Sequence, residues 1–151
     1  MEPNGIIKKH IAPCGLHCGG CFAFNGGNIQ KHSTELIKSL GNFDVYAQRF
    51  VTMLDEPVFE NYQSFKMMLH YFSETKCNGC REQACALFKS CHVRDCFREK
   101  GVDFCFQCTS FPCEQTGFDE HLQKRFISIN EKIRKIGIEN YYEEIKDVPR
   151  Y

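Results

Sequence analysis

Three close-set groups hold all eleven cysteines of this chain: Cys14, Cys18 and Cys21; then Cys77, Cys80, Cys85, Cys91 and Cys96; then Cys105, Cys108 and Cys113. No other feature restricts the fold as much. A C-x2-C step is the spacing at which a tight turn brings two thiolates onto one tetrahedral ion, with backbone amides of the turn directed at the sulfurs. Cys18-Gly19-Gly20-Cys21, Cys77-Asn78-Gly79-Cys80 and Cys105-Phe106-Gln107-Cys108 all have it, and Asn-Gly tolerates the positive φ such a turn requires. The count is odd, and the polar start Met1-Glu2-Pro3-Asn4 is not a secretory leader. A soluble, cytoplasmic chain is therefore expected, in which the thiols stay reduced and serve metal rather than disulfides.

Metal changes the charge balance. Lysine and arginine number 19, as do aspartate and glutamate. Two four-thiolate zinc sites would shift that neutral sum to about −4, because the ligands bind as thiolates. A slightly acidic protein lacks the basic face that counterion-release binding needs, so nucleic acid is an unlikely partner. The longest uncharged stretch, Ile11 to Gln30, is broken by glycine, histidine and asparagine, which argues against a membrane span. Between Lys76 and Cys113, six basic residues stand against four acidic ones, an excess that can offset thiolate charge.

At 151 residues the chain is expected to form a single cysteine-rich, metal-binding domain over residues 1–151. Residues 1–30 read as loop, since five glycines cluster around the first cysteine group. Ser33-Thr34 is a candidate cap for a helix carrying Leu36, Ile37 and Leu40. Phe43, Tyr46, Phe50 and Leu54 form a second helical stripe, and Val58, Tyr62, Phe65, Leu69 and Phe72 a third. These stripes, with a helix after Phe118-Asp119 that carries Leu122, Phe126, Ile129, Ile133 and Ile136, are the expected core. Short helices over 82–89 and 93–100 are expected between the cysteine turns, and a last one with Tyr141, Tyr142 and Ile145. The expected fold class is thus mainly α: a small, irregular, metal-stabilised domain of short helices joined by zinc-binding turns.

Pro13-Cys14-Gly15-Leu16-His17-Cys18-Gly19-Gly20-Cys21, Cys77-Asn78-Gly79-Cys80, Cys91-His92-Val93-Arg94-Asp95-Cys96, Lys100-Gly101, Cys105-x2-Cys108 and Phe111-Pro112-Cys113 occur in that order. From Ile11 to Glu114 the chain resembles the family called domain of unknown function 3795. The resemblance implies a small cysteine-rich protein that binds zinc, without an assigned activity. The family pattern has a cysteine three residues before Cys91, where this chain has Phe88. Cys85 stands one helical turn earlier, either as a substitute ligand or as a spare thiol.

Zinc in structural, all-thiolate sites is the expected cofactor, with an iron–sulfur cluster, and hence an iron–sulfur or redox protein, as the alternative, because four thiolates serve either metal. The expected role is an interaction module for a protein or small-molecule partner. C-x3-C-x2-C is also the pattern of radical S-adenosylmethionine enzymes, but no alternation of strand and helix accompanies it here. Whether the chain is an enzyme stays open. Cys14, Cys18 and Cys21 would be three ligands of an open zinc site unless Cys85, Cys113 or His10 supplies a fourth. His92 is expected to point away from the ligands, and His32, His70 and His121 stand alone in helical segments.

Overall fold

The computed structural model describes residues 3–82, 85 and 87–151. These residues form seven α-helices and no strand. The helices are α1 (Pro3–His10), α2 (Asn28–Leu40), α3 (Phe43–Met53), α4 (Tyr62–Ser73), α5 (Val93–Glu99), α6 (Glu120–Ile136) and α7 (Ile138–Ile145). No helix among them is long and apolar enough to cross a membrane.

Helix α6 is the central beam, and its sequence explains why. The Asp119 side chain accepts the Leu122 amide at 2.8 Å and caps the first turn. Leu122, Phe126, Asn130 and Ile133 then recur at steps of three and four, so they share one buried face. That face spans two apolar clusters. Ala12, Cys14, Leu16, Val93 and Phe111 pack around Leu122 and Phe126; Ile7, Ile11, Phe104 and Tyr141 pack around Ile133. Phe126 and Ile133 are fully buried, each contributing about 1.5–3 kcal/mol of apolar transfer.

The core therefore differs from the one expected. The loop around the first cysteine group supplies Ile11, Ala12, Cys14 and Leu16 to it, whereas the α2–α4 stripes are thinly covered. Phe43 packs on Tyr62 at 5.0 Å and on Phe50 at 5.6 Å, but Leu54 and Val58 remain more than half exposed and Tyr46 and Phe65 nearly half. Periodicity marks one face of a helix; it does not say how much chain arrives to cover it.

Three boundaries also move. Residues 3–10 are helical rather than loop, with Ile7 buried against Tyr141. Helix α2 starts at Asn28, not at Ser33-Thr34: Ser33 is buried within it and the Thr34 hydroxyl donates back to the Gln30 carbonyl at 2.9 Å. The cause is Gln30, whose side chain accepts the Gly26 amide and donates to the Ser73 and Thr75 carbonyls, tying the start of α2 to the end of α4. Over 82–89 the described residues form turns and bends instead of a helix, while Gln83, Ala84 and Ala86 lie outside the described residues.

Candidate functional site

Backbone pairing brings the three cysteine groups together. An isolated parallel bridge joins Phe24 to Cys77, with the Asn25 amide donating to the Cys77 carbonyl at 2.8 Å and the Cys77 amide to Ala23 at 3.1 Å. This sets the Cys77–Cys80 turn beside Cys21. The Cys105 amide donates to the Pro13 carbonyl at 2.8 Å, which sets the third group beside Cys14. Arg81, directly after Cys80, donates to the Lys8 and Asp103 carbonyls at 3.0 and 2.7 Å and lies over the Phe104 ring. Each contact crosses from one group to another, so the groups are braced as one unit.

Two of the three C-x2-C steps are tight hydrogen-bonded turns. Cys18–Gly20 and Cys105–Gln107 are single 3-10 turns, closed by the Cys21 amide on the Cys18 carbonyl (2.9 Å) and the Cys108 amide on Cys105 (3.0 Å). At Cys77-Asn78-Gly79-Cys80, Gly79 adopts φ +94°, a conformation side chains resist, and its amide bonds the Cys77 sulfur.

The eleven thiols divide between two cavities. Cys14, Cys18, Cys21, Cys77, Cys80, Cys85 and Cys91 line a small interior one of about 40 Å³, with Ala12, Leu16, Phe24, Phe88 and Phe118 as apolar wall and Arg150 at its edge. Cys96, Cys105, Cys108 and Cys113 line an open one of about 780 Å³. Helix α5 makes the division: Cys91 precedes it and Cys96 lies inside it. Cys85 is thus in the company of the first group's thiols, and the Phe88 ring takes part in the same wall. All eleven cysteines are free. Among the described residues, no three of His, Cys, Asp or Glu form a group that could hold a metal ion as placed. The thiols share walls without closing on one point.

Electrostatics separates the seven. Burial pushes Cys14 up to about 12, partly countered by the Leu16 amide. A hydrogen bond from the Cys80 side chain brings Cys18 down to about 7 and Cys85 to about 5, and the Cys80 thiol, sharing its proton with both, is held well above its ordinary range. Arg150 lowers Cys14, Cys18 and Cys85 alike. Backbone amides also reach several sulfurs: Leu16 to Cys14, Cys80 to Cys18, and Phe88 and Leu87 to Cys85. Such N–H···S bonds suit a thiolate that ligates metal. In the open cavity, burial and neighbouring thiols raise Cys96 and Cys105.

The histidines lie apart from the seven thiols. His10 bonds the Tyr142 hydroxyl through Nδ1 at 2.7 Å, and His10 and His17 line a separate polar cavity. His92 lines the open four-thiol cavity, and its amide bonds the Thr116 carbonyl at 2.9 Å. Two contributors had no signal in the cysteine spacing. Arg150 holds the His17 carbonyl at 3.1 Å, and Asn130, fully buried on α6, donates to the Cys14 carbonyl at 2.8 Å.

The model of a family described as protein of unknown function (DUF3795) matches residues 10–118. No curated protein and no solved structure matches the chain.

Proposed function

For a chain that belongs to the DUF3795 family, whose function is unknown, we propose a zinc-binding protein with two thiolate centres. The observation that carries this reading is that every one of the eleven cysteines lines one of two cavities, seven in one and four in the other, with Cys18 and Cys80 of the seven also reaching a third. Cys96, Cys105, Cys108 and Cys113 are the donor set of a closed tetrahedral site. Cys14, Cys18, Cys21, Cys77, Cys80, Cys85 and Cys91 form the other centre, with more thiols than one ion needs. The fit is supported by the tight C-x2-C turns and by the amides directed at Cys14, Cys18, Cys77 and Cys85. Bound zinc would draw the thiols inward and offset part of their negative charge.

The role is structural. Each centre gathers ligands from separate stretches of chain, so binding energy becomes folding energy. The open-site enzyme reading loses ground, because Cys14, Cys18 and Cys21 have four further thiols on the same wall. The reading places the protein in a reducing compartment such as the cytoplasm, as a module for a protein or small-molecule partner. An iron–sulfur cluster is the second reading, favoured at the seven-thiol centre by apolar walls of the kind that tune cluster potentials.

Native mass spectrometry of cysteine substitutions tests the assignment. Cys108→Ser should remove the metal of the four-thiol centre alone, and the combined variant Cys18→Ser/Cys21→Ser/Cys77→Ser/Cys80→Ser, which leaves three of the seven thiols, that of the seven-thiol centre alone. Loss of all metal from either variant, or of none from both, would refute the division.

A further inference from the structure

On the other side of the first cysteine loop lies a polar cavity of about 420 Å³. Lys9, His10, His17, Lys31 and Lys146 line it from four separate stretches of chain, against a single acid, Asp147. Among the described residues Lys9 and Lys31 form no ion pair, while Lys146 pairs with Glu143 at 2.6 Å. The basic groups are close enough to feel one another: after burial, Lys9 and Lys31 are what lower the basicity of His10. Convergence of like charge around a concave space destabilises the empty protein, and an anion relieves it. Helix α2 opens beside this space with Gly27 at its cap, without a capping side chain or an acid in its first turn, and so adds backbone donors.

We propose that this cavity binds a phosphoryl group, as free phosphate or as the phosphate of a small ester. Ammonium groups that arrive from separate directions match a tetrahedral dianion, with several acceptor oxygens, better than a flat carboxylate. The cavity is larger than phosphate alone requires, which leaves room for the organic part of an ester. The Gly19-Gly20 step lets the rings in: a Cβ on Gly19 would stand 3.0 Å from His10 Cγ and one on Gly20 2.9 Å from His17 Nδ1. This site uses none of the eleven thiols and stands independently of the metal reading.

Calorimetric titration of the full chain with inorganic phosphate, phenyl phosphate and citrate, at constant ionic strength, tests it. One phosphoryl group should bind per chain, and the stronger of the two phosphoryl probes identifies free phosphate or ester as the source. The double variant Lys9→Ala/Lys31→Ala, whose side chains are exposed and not needed for packing, should raise Kd at least about tenfold, the equivalent of one charge-assisted hydrogen bond. Lys124→Ala/Lys135→Ala, which removes the same charge from α6, should leave Kd within about twofold. The proposal is overturned if neither phosphoryl probe binds, if citrate binds more tightly than both, or if the two double variants weaken binding equally.

Discussion

Asn130 reaches across the core to Cys14: its Nδ2 donates to the Cys14 carbonyl at 2.8 Å and to the Phe126 carbonyl at 2.9 Å. The side chain is fully buried, so these bonds form away from water, and they fix the first cysteine loop to α6. Asn130→Ala leaves the Cys14 carbonyl without this donor and should cost about 1–3 kcal/mol, read as a lower urea midpoint. Asn130→Asp should cost more at neutral pH, because a buried carboxylate would face two carbonyls. An unchanged midpoint for both variants would remove Asn130 from the account.

Gly117 fixes the segment that leads into α6. Its φ is +75°, and a Cβ there would lie 2.0 Å from the Ser90 carbonyl oxygen, a backbone atom that cannot swing aside. Gly117→Ala should therefore cost more than the roughly 1–3 kcal/mol of an unfavourable φ alone. Gly26 supplies the comparison, with φ +77° and nothing within 4 Å of its Cβ position. Equal losses in denaturant midpoint for Gly117→Ala and Gly26→Ala would show that the Ser90 contact carries no weight.

The two positions also mark what the sequence could tell. The turns at Cys18–Cys21 and Cys105–Cys108 are legible because C-x2-C is a local geometry, and α6 because Asp119 and the Leu122, Phe126 and Ile133 spacing encode a cap and a face within one stretch. The grouping of Cys85 and Cys91 with Cys14 was not, since it depends on the Phe24–Cys77 bridge and the Cys105–Pro13 hydrogen bond between distant segments. The start of α2 at Asn28, ahead of Ser33-Thr34, has a related cause: Gln30 draws its stabilisation from Ser73 and Thr75, more than 40 residues away. Stripe residues such as Val58 and Phe65 are legible as members of a helix face but not as exposed ones.

His10 links stability to pH. Burial first, then Lys9 and Lys31, hold its folded-state pKa below the ordinary 6.5. The unfolded chain thus takes up this proton more readily than the folded one, and stability must fall as pH drops from about 6.5 toward the lower folded value. Above 6.5 the group is neutral in both states and has no effect. His10→Gln, which keeps a polar partner for Tyr142, should flatten this part of the profile when urea midpoints at pH 7.5 and 5.5 are compared. An identical drop in both proteins would assign the acid sensitivity elsewhere.

Arg81 ties the second cysteine turn to both other segments, through the Lys8 and Asp103 carbonyls and the Phe104 ring. Lysine cannot reproduce the fork of donors. Arg81→Lys should cost about 1–2 kcal/mol in denaturant unfolding of the metal-loaded protein, with metal content unchanged. Loss of metal at full stability would mean that Arg81 acts on the thiols and not on the brace.

Metal analysis of anaerobically purified protein, together with its absorption spectrum, decides whether the cysteines are ligands of two metal centres. Colourless protein carrying about two or more zinc ions per chain is the expected result. Brown protein with stoichiometric iron and sulfide would replace zinc by the cluster reading, and protein with no bound metal would contradict the ligand assignment.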